Sequence, residues 1–110
     1  MNTRPGIKLL EENEGIGEET KKGDIVTVRL NGWLNRGKQI QTDYIEKISL
    51  GSRNVISGIE YGIEGMKKSG RRKIKISPHL GYGAKGVKDL IPPNAALIYE
   101  IEVLDIKPSI

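Results

Sequence analysis

Twelve residues constrain this chain more than any others. SGIEYGIEGMKK, 57 to 68, is the one segment in which apolar residues recur with a helical period. Ile56, Ile59, Ile63 and Met66 are spaced by three and four, which places them on one face of a short amphipathic helix. Ser57 and Glu60 fit the S-x-x-E capping box, which satisfies backbone donors at a helix start. Gly58, Gly62 and Gly65 oppose the helix, each by roughly 1 kcal/mol against alanine in an interior position. Their presence predicts that this helix lies very close to a sheet.

Elsewhere the period is two. IVTVRLNGWL (25–34) alternates Val26, Val28 and Leu30 against Thr27, Arg29 and Asn31, and a turn follows at NRGK, where Gly37 supplies a permissive backbone. KQIQT and IEKISLG read as two further short strands, RRKIKIS and ALIYEIEVLDI as two more, and IKLLEEN adds one near the start. The expected fold is therefore α+β: a single domain, 1–110, with an antiparallel sheet of about five or six strands wrapped on one short helix. A helix that interrupts the strand series once disfavours parallel nucleotide-binding folds and helical bundles. No G-x-x-x-x-G-K-[ST] loop or strand-linked G-x-G-x-x-G is present.

Composition narrows the chemistry. The 110 residues contain no cysteine and one histidine, His79. Thiol catalysis, thiolate metal sites and disulfides are excluded, and imidazole-rich metal sites and Ser-His-Asp hydrolysis are disfavoured. No metal or cofactor is expected. The start of the chain lacks a signal-type apolar run, and no segment approaches the ~20 apolar residues of a membrane span, so a cytoplasmic protein without membrane contact is the expectation. Much of the net charge of +4 sits in KKSGRRKIK (67–75). That stripe reads as the solvated face of a strand, with its lysines guarding a sheet edge, in preference to a phosphate-binding surface. No nucleic-acid partner is expected.

The order of elements and several exact words resemble the FKBP-type peptidyl-prolyl cis–trans isomerases. The matching text is KKGDIVTVRLNGWL, then Gly37-Lys38, LGSRNVISGIEYGIEGM, KIKISPHLGYGAKG and LIPPNAALIYEIEVLDI, from about Ile7 to Ile106. The resemblance implies a twisted antiparallel half-barrel around a short helix. It also implies non-covalent acceleration of X–Pro bond rotation in proline-containing peptides or unfolded proteins, in support of folding, by a monomer. Carried over residue by residue, Tyr82 and Ile56 are the catalytic positions: a hydroxyl donor to a peptide carbonyl, and a backbone N–H that holds a substrate carbonyl. Val55 and Ile59 would line the cup and form its floor. Ile91 would pack beside Tyr82, and with Leu90 overhang the pocket on a loop stiffened by Pro92 and Pro93. Tyr99 would stand at the base, with Leu30, Ile40 and Gln41 on the sheet side.

The chain also departs from the family pattern. The family usually has Trp at Ile59, aromatics at Leu30 and Ile40, and Asp at Gln41, whereas this chain has no phenylalanine and its only tryptophan is Trp33. The segment from Ile40 to Ile45 is about four residues shorter than in the common pattern, a family aromatic near its end is missing, and Glu46 stands nearby. Asp43 is the remaining carboxylate, two places from the usual one. An aliphatic cup loses the flat ring faces that aromatics offer. The resemblance thus implies reduced activity and weak binding of the family's macrolide inhibitors. The competing reading is a peptide-binding or chaperone-like module on the same fold with little or no isomerase activity.

Overall fold

The alternation of IVTVRLNGWL becomes β2 (Ile25–Leu34), in which every second residue from Val26 to Leu34 is buried. It is the fourth strand in a five-stranded sheet that also contains β1 (Ile7–Asn13), β3 (Gln39–Ser49), β4 (Arg71–Ile76) and β5 (Leu97–Lys107). The spatial order is β1-β4-β5-β2-β3, with every neighbouring pair antiparallel. This computed structural model describes residues 4–108. The two short strands expected at KQIQT and IEKISLG are one strand, β3. Its ladder with β2 runs through irregularities on either side of Gly32 instead of breaking there.

The helix α1 (Ser57–Ile63) packs on one face of the sheet against β4 and β5, with Ile59 and Ile63 in the core. Seven residues are too few to form a stable helix alone, so packing must supply its stability. A Cβ on Gly58 would run into the Ile76 side chain, and one on Gly62 would lie 2.5 Å from Ile74 Cδ1. Gly58 and Gly62 therefore serve close approach to the sheet, as predicted; Gly65 does not, for it lies beyond the helix end with φ 78° and no sheet atom pressed against it. The core beneath is almost wholly aliphatic: Val26, Val28, Ile63, Ile74, Ile76, Leu97 and Val103 are fully buried, and Tyr99 is the one aromatic among the buried residues.

The expected capping box does not form. Ile56 is the N-cap, Ser57 lies inside the helix, and no side chain bonds the first-turn amides. The Glu60 carboxylate instead accepts hydrogen bonds from the backbone N–H groups of Gly51 (2.7 Å) and Arg53 (2.8 Å). Those amides belong to the loop that feeds the helix, and a carboxylate beneath the loop satisfies two of its donors at once. At the other end, Thr20 Oγ1 donates to the Ile63 carbonyl (2.7 Å). Arg72 Nη1 donates to the carbonyls of Gly62 (3.0 Å) and Glu64 (2.6 Å). Arg72 Nε also bonds Glu12 (2.6 Å), and its side chain is only 4% exposed. A cation at the helix C-terminus meets both the unpaired carbonyls and the negative end of the dipole.

This arrangement corrects the reading of the basic stripe. β4 lies between β1 and β5, so it is not an edge that lysines need to guard. Arg72 points inward with Ile74 and Ile76. Outward-facing Lys73 stands in register with Glu11 on β1 and Glu100 on β5, and Arg71 with Glu102. The stripe is thus flanked by acidic residues on the neighbouring strands, a favourable cross-strand arrangement.

Candidate functional site

A cavity of about 340 Å³ opens where β2, β3, β5, the start of α1 and the loop after β4 meet. Two other surface depressions are about as large, one beside Ile16 and Ile106 and one between Glu11 and Arg71. Volume therefore does not single this site out; its walls do. Leu30 comes from β2 and Tyr99 from β5, Val55 and Ile56 from the turn into the helix, Ile59 from its first turn, and Tyr82 from the loop. Gln41, Tyr44, Glu46 and Asn54 complete the lining.

A bulge sets the sheet-side wall. From Leu30 to Gly32 β2 advances two residues, while β3 covers three, from Tyr44 to Gln41. Strict alternation would put Gln41 on the face opposite Tyr44, Glu46 and Ile48. One extra residue reverses that parity and brings Gln41 to the cavity. Asp43 takes the strain of the bulge at φ 44°, and its N–H donates to Asn31 Oδ1 (2.9 Å). The Asp43 carboxylate faces Arg29 at 4.0 Å on the outer side and does not line the cavity, so it does not substitute for the family's aspartate.

Gln41 Oε1 accepts the Tyr99 hydroxyl at 2.9 Å. The Tyr99 ring lies against the backbone of Gly32, its register partner on β2, where a Cβ would sit 2.5 Å from Tyr99 Cζ. Burial pushes the Tyr99 phenol well above its ordinary range, with Tyr82 and Glu46 adding to the effect. Tyr82 is raised as well, first by burial and then by Glu46. Both phenols therefore remain O–H groups at neutral pH. Among the described residues the Tyr82 hydroxyl makes no hydrogen bond, and neither does the Ile56 N–H. The Ile56 carbonyl, by contrast, is used by the Ile59 and Glu60 amides. Both donors are thus free on the wall of a hollow that mixes aliphatic, aromatic and polar side chains.

Seven of the nine positions expected at the site line this cavity: Leu30, Gln41, Val55, Ile56, Ile59, Tyr82 and Tyr99. Ile40 and Ile91 do not. Ile40 falls at the second irregularity, between the Gly32–Gln41 and Trp33–Gln39 pairs, and packs half-buried against the core. Ile91 is 5% exposed and bridges Val87 through paired backbone hydrogen bonds of 2.8 Å in each direction. Leu90 is exposed, and neither it nor Ile91 lines the cavity as expected of this loop. The loop is held by the Gly83 N–H to Pro78 and the Asn94 N–H to Gly83. Sequence reasoning missed Tyr44 and Asn54. Tyr44 and Glu46 share the parity of buried Ile48 on β3, and that phase was the available signal.

The family model for FKBP-type peptidyl-prolyl cis–trans isomerases matches residues 17–104. A protein of Neisseria meningitidis serogroup A named FK506-binding protein is 40% identical over 106 residues, covering 92% of this chain and 97% of that one. The Escherichia coli K12 isomerase FkpA is 40% identical over 97 residues, 86% of this chain but 36% of that one. The crystal structure of FkpA from Escherichia coli superposes with a TM-score of 0.79 at 36% identity, covering 94% of this chain and 48% of the FkpA chain. The chain thus spans about half the length of that solved structure. The sheet order, the helix laid across it and the sequence match from Gly17 to Leu104 lead to one conclusion: this chain belongs to the FKBP-type peptidyl-prolyl cis–trans isomerase family.

Proposed function

We propose that this cavity binds a prolyl ring and accelerates rotation of the X–Pro bond before it, with Tyr82 and the Ile56 N–H as carbonyl-holding donors. The observation that carries this reading is that these two free donors stand beside the aliphatic surface of Leu30, Val55 and Ile59. A planar amide is strongly dipolar because of its C–N resonance, and a twisted amide has lost that resonance. Moving the bond from water to an apolar cup therefore destabilises the planar ground state more than the twisted transition state. Donors fixed on flanking carbonyls hold the peptide in the turned geometry, and stabilisation confined to the transition state is what lowers the barrier. The uncatalysed barrier is ~18–20 kcal/mol, and each ~1.4 kcal/mol removed from it speeds rotation about tenfold. No proton moves and no covalent bond forms, which suits a wall whose phenols stay protonated.

Tyr82→Phe removes one donor and leaves the ring. In a protease-free NMR exchange assay on an X–Pro peptide, kcat/KM is expected to fall by about tenfold, in keeping with ~1–1.5 kcal/mol for one hydrogen bond. An unchanged rate would remove Tyr82 from the mechanism, and no acceleration by micromolar native protein would overturn isomerisation itself.

The same wall argues for weak binding of the family's macrolide inhibitors. Ile59 and Leu30 offer branched aliphatic surface where a ring face would stack, and edge or stacking contacts are worth ~0.5–1.5 kcal/mol each beyond area. Two such losses predict affinity lowered by one to two orders of magnitude, roughly, against a domain with aromatics at both positions. Calorimetric titration would decide this, and affinity equal to that of the aromatic-walled domain would refute it.

A further inference from the structure

The candidate site carries one formal charge. Its lining contains no lysine, arginine or histidine, although the chain as a whole is at +4. Glu46 supplies the charge, half-buried on β3 opposite Val28. None of the six ion pairs among the described residues involves it, and its side chain makes no hydrogen bond there. Arg29, one residue along β2 from Glu46's register partner, is engaged on the outer face with Asp43 and Glu102. The Glu46 carboxylate lies close enough to Tyr82 and Tyr99 to act electrostatically on both phenols. The rings of Tyr44 (46% exposed) and Tyr82 (37% exposed) border the same hollow.

An unneutralised carboxylate beside two accessible aromatic rings suits a cationic side chain. The carboxylate attracts the charge, and the ring faces attract it through their quadrupoles while the aliphatic stem packs below. A carboxylate in a substrate would meet Glu46 as a like charge with no cation in the cavity lining to offset it. We propose that Glu46, with the rings of Tyr44 and Tyr82, selects proline-containing substrates in which a lysine or arginine flanks the proline. This rests on the isomerase reading and names its substrate class.

The test uses short peptides with Lys, Leu or Glu immediately before proline, and a second series with the same residues immediately after it. Exchange NMR gives kcat/KM for each. In one series or both, Lys is expected to exceed Leu by roughly fivefold, the scale of a part-exposed ion pair plus a cation–π contact, and Glu to fall below Leu. The Lys-to-Glu ratio is expected to shrink at 0.5 M salt, where screening shortens to a few ångströms. The same ratio should collapse toward unity in Glu46→Gln and invert in Glu46→Lys. Because the readout is a ratio within each variant, a general loss of activity does not imitate the result. Equal rates for Lys and Glu peptides in the native protein, or an unaltered ratio in Glu46→Gln, overturn the proposal. If no peptide is accelerated, the isomerase reading falls on its own, and the Lys-to-Glu ratio of Kd values from NMR titration decides the selectivity.

Discussion

Replacing Arg72 by methionine is expected to cost about 3–4 kcal/mol, near the upper end for a single substitution. The guanidinium is 4% exposed and meets three acceptors: Glu12 and the carbonyls of Gly62 and Glu64. Methionine fills similar volume and repays some burial, but it leaves two helix-end carbonyls and a carboxylate without a donor. An orphaned buried acceptor costs ~1–3 kcal/mol, which sets the scale. For a domain of this size each kcal/mol moves Tm by ~4–8 °C, so the midpoint should fall by roughly 15–25 °C. Arg71→Met, one residue away on the solvent face, should change stability by less than ~0.5 kcal/mol. Glu12→Gln should cost less than Arg72→Met, since Glu12 is 30% exposed and water can reach what remains. Urea unfolding with an unchanged slope would measure all three. A loss below ~1 kcal/mol for Arg72→Met would mean that the helix end is held by Thr20 and packing alone.

The example also marks how far the sequence could be read. Alternation located β2, β4 and β5 and placed Arg72 in phase with Ile74 and Ile76, on the buried face. Composition pulled the other way, because six of the nine residues from Lys67 to Lys75 are basic and look solvated. Phase was the better guide, since a lone inward arginine is tolerated once acceptors surround it. The helix was legible from its period and its glycines, but its capping was not. S-x-x-E describes a local pairing, whereas Glu60 is drawn to two loop amides several residues upstream, a tertiary demand that a four-residue window cannot contain. The resemblance pointed to seven residues that the fold gathers around one cavity, and to two, Ile40 and Ile91, that lie outside its lining. Ile91 lies on the loop after β4 and is buried where it bridges Val87. For Ile40 the reason is register: each extra residue in β3 changes which side chains face inward, and family positions carried over one by one take no account of a bulge. The same extra residue makes Gln41 the partner of Tyr99, which a parity count over an unbroken strand would forbid.

That dependence on one close approach yields the second large effect. Gly32→Ala is expected to destabilise the fold by about 2–3 kcal/mol and to lower kcat/KM at least tenfold, roughly, when measured well below the new midpoint. Gly32 is not among the positive-φ glycines, so the backbone accepts alanine; the conflict is spatial. The new methyl would sit 2.5 Å from Tyr99 Cζ and 2.9 Å from its hydroxyl oxygen. A phenol ring is rigid and its buried side is lined by the core, so it can yield only outward, into the cavity. That movement breaks the 2.9 Å bond to Gln41 and takes up space in the cavity proposed for the prolyl ring. A double-mutant cycle separates this cause from any general intolerance of the site. With Tyr99→Leu in place the obstructing ring is gone, and alanine should then cost less than ~0.5 kcal/mol at position 32, or stabilise, because glycine loses more chain entropy in a strand. A coupling of at least ~1.5 kcal/mol between the two positions is the expected result. If alanine costs the same in both backgrounds, the ring is not what Gly32 accommodates, and the loss must come from β3, whose register partner at Gly32 is Gln41.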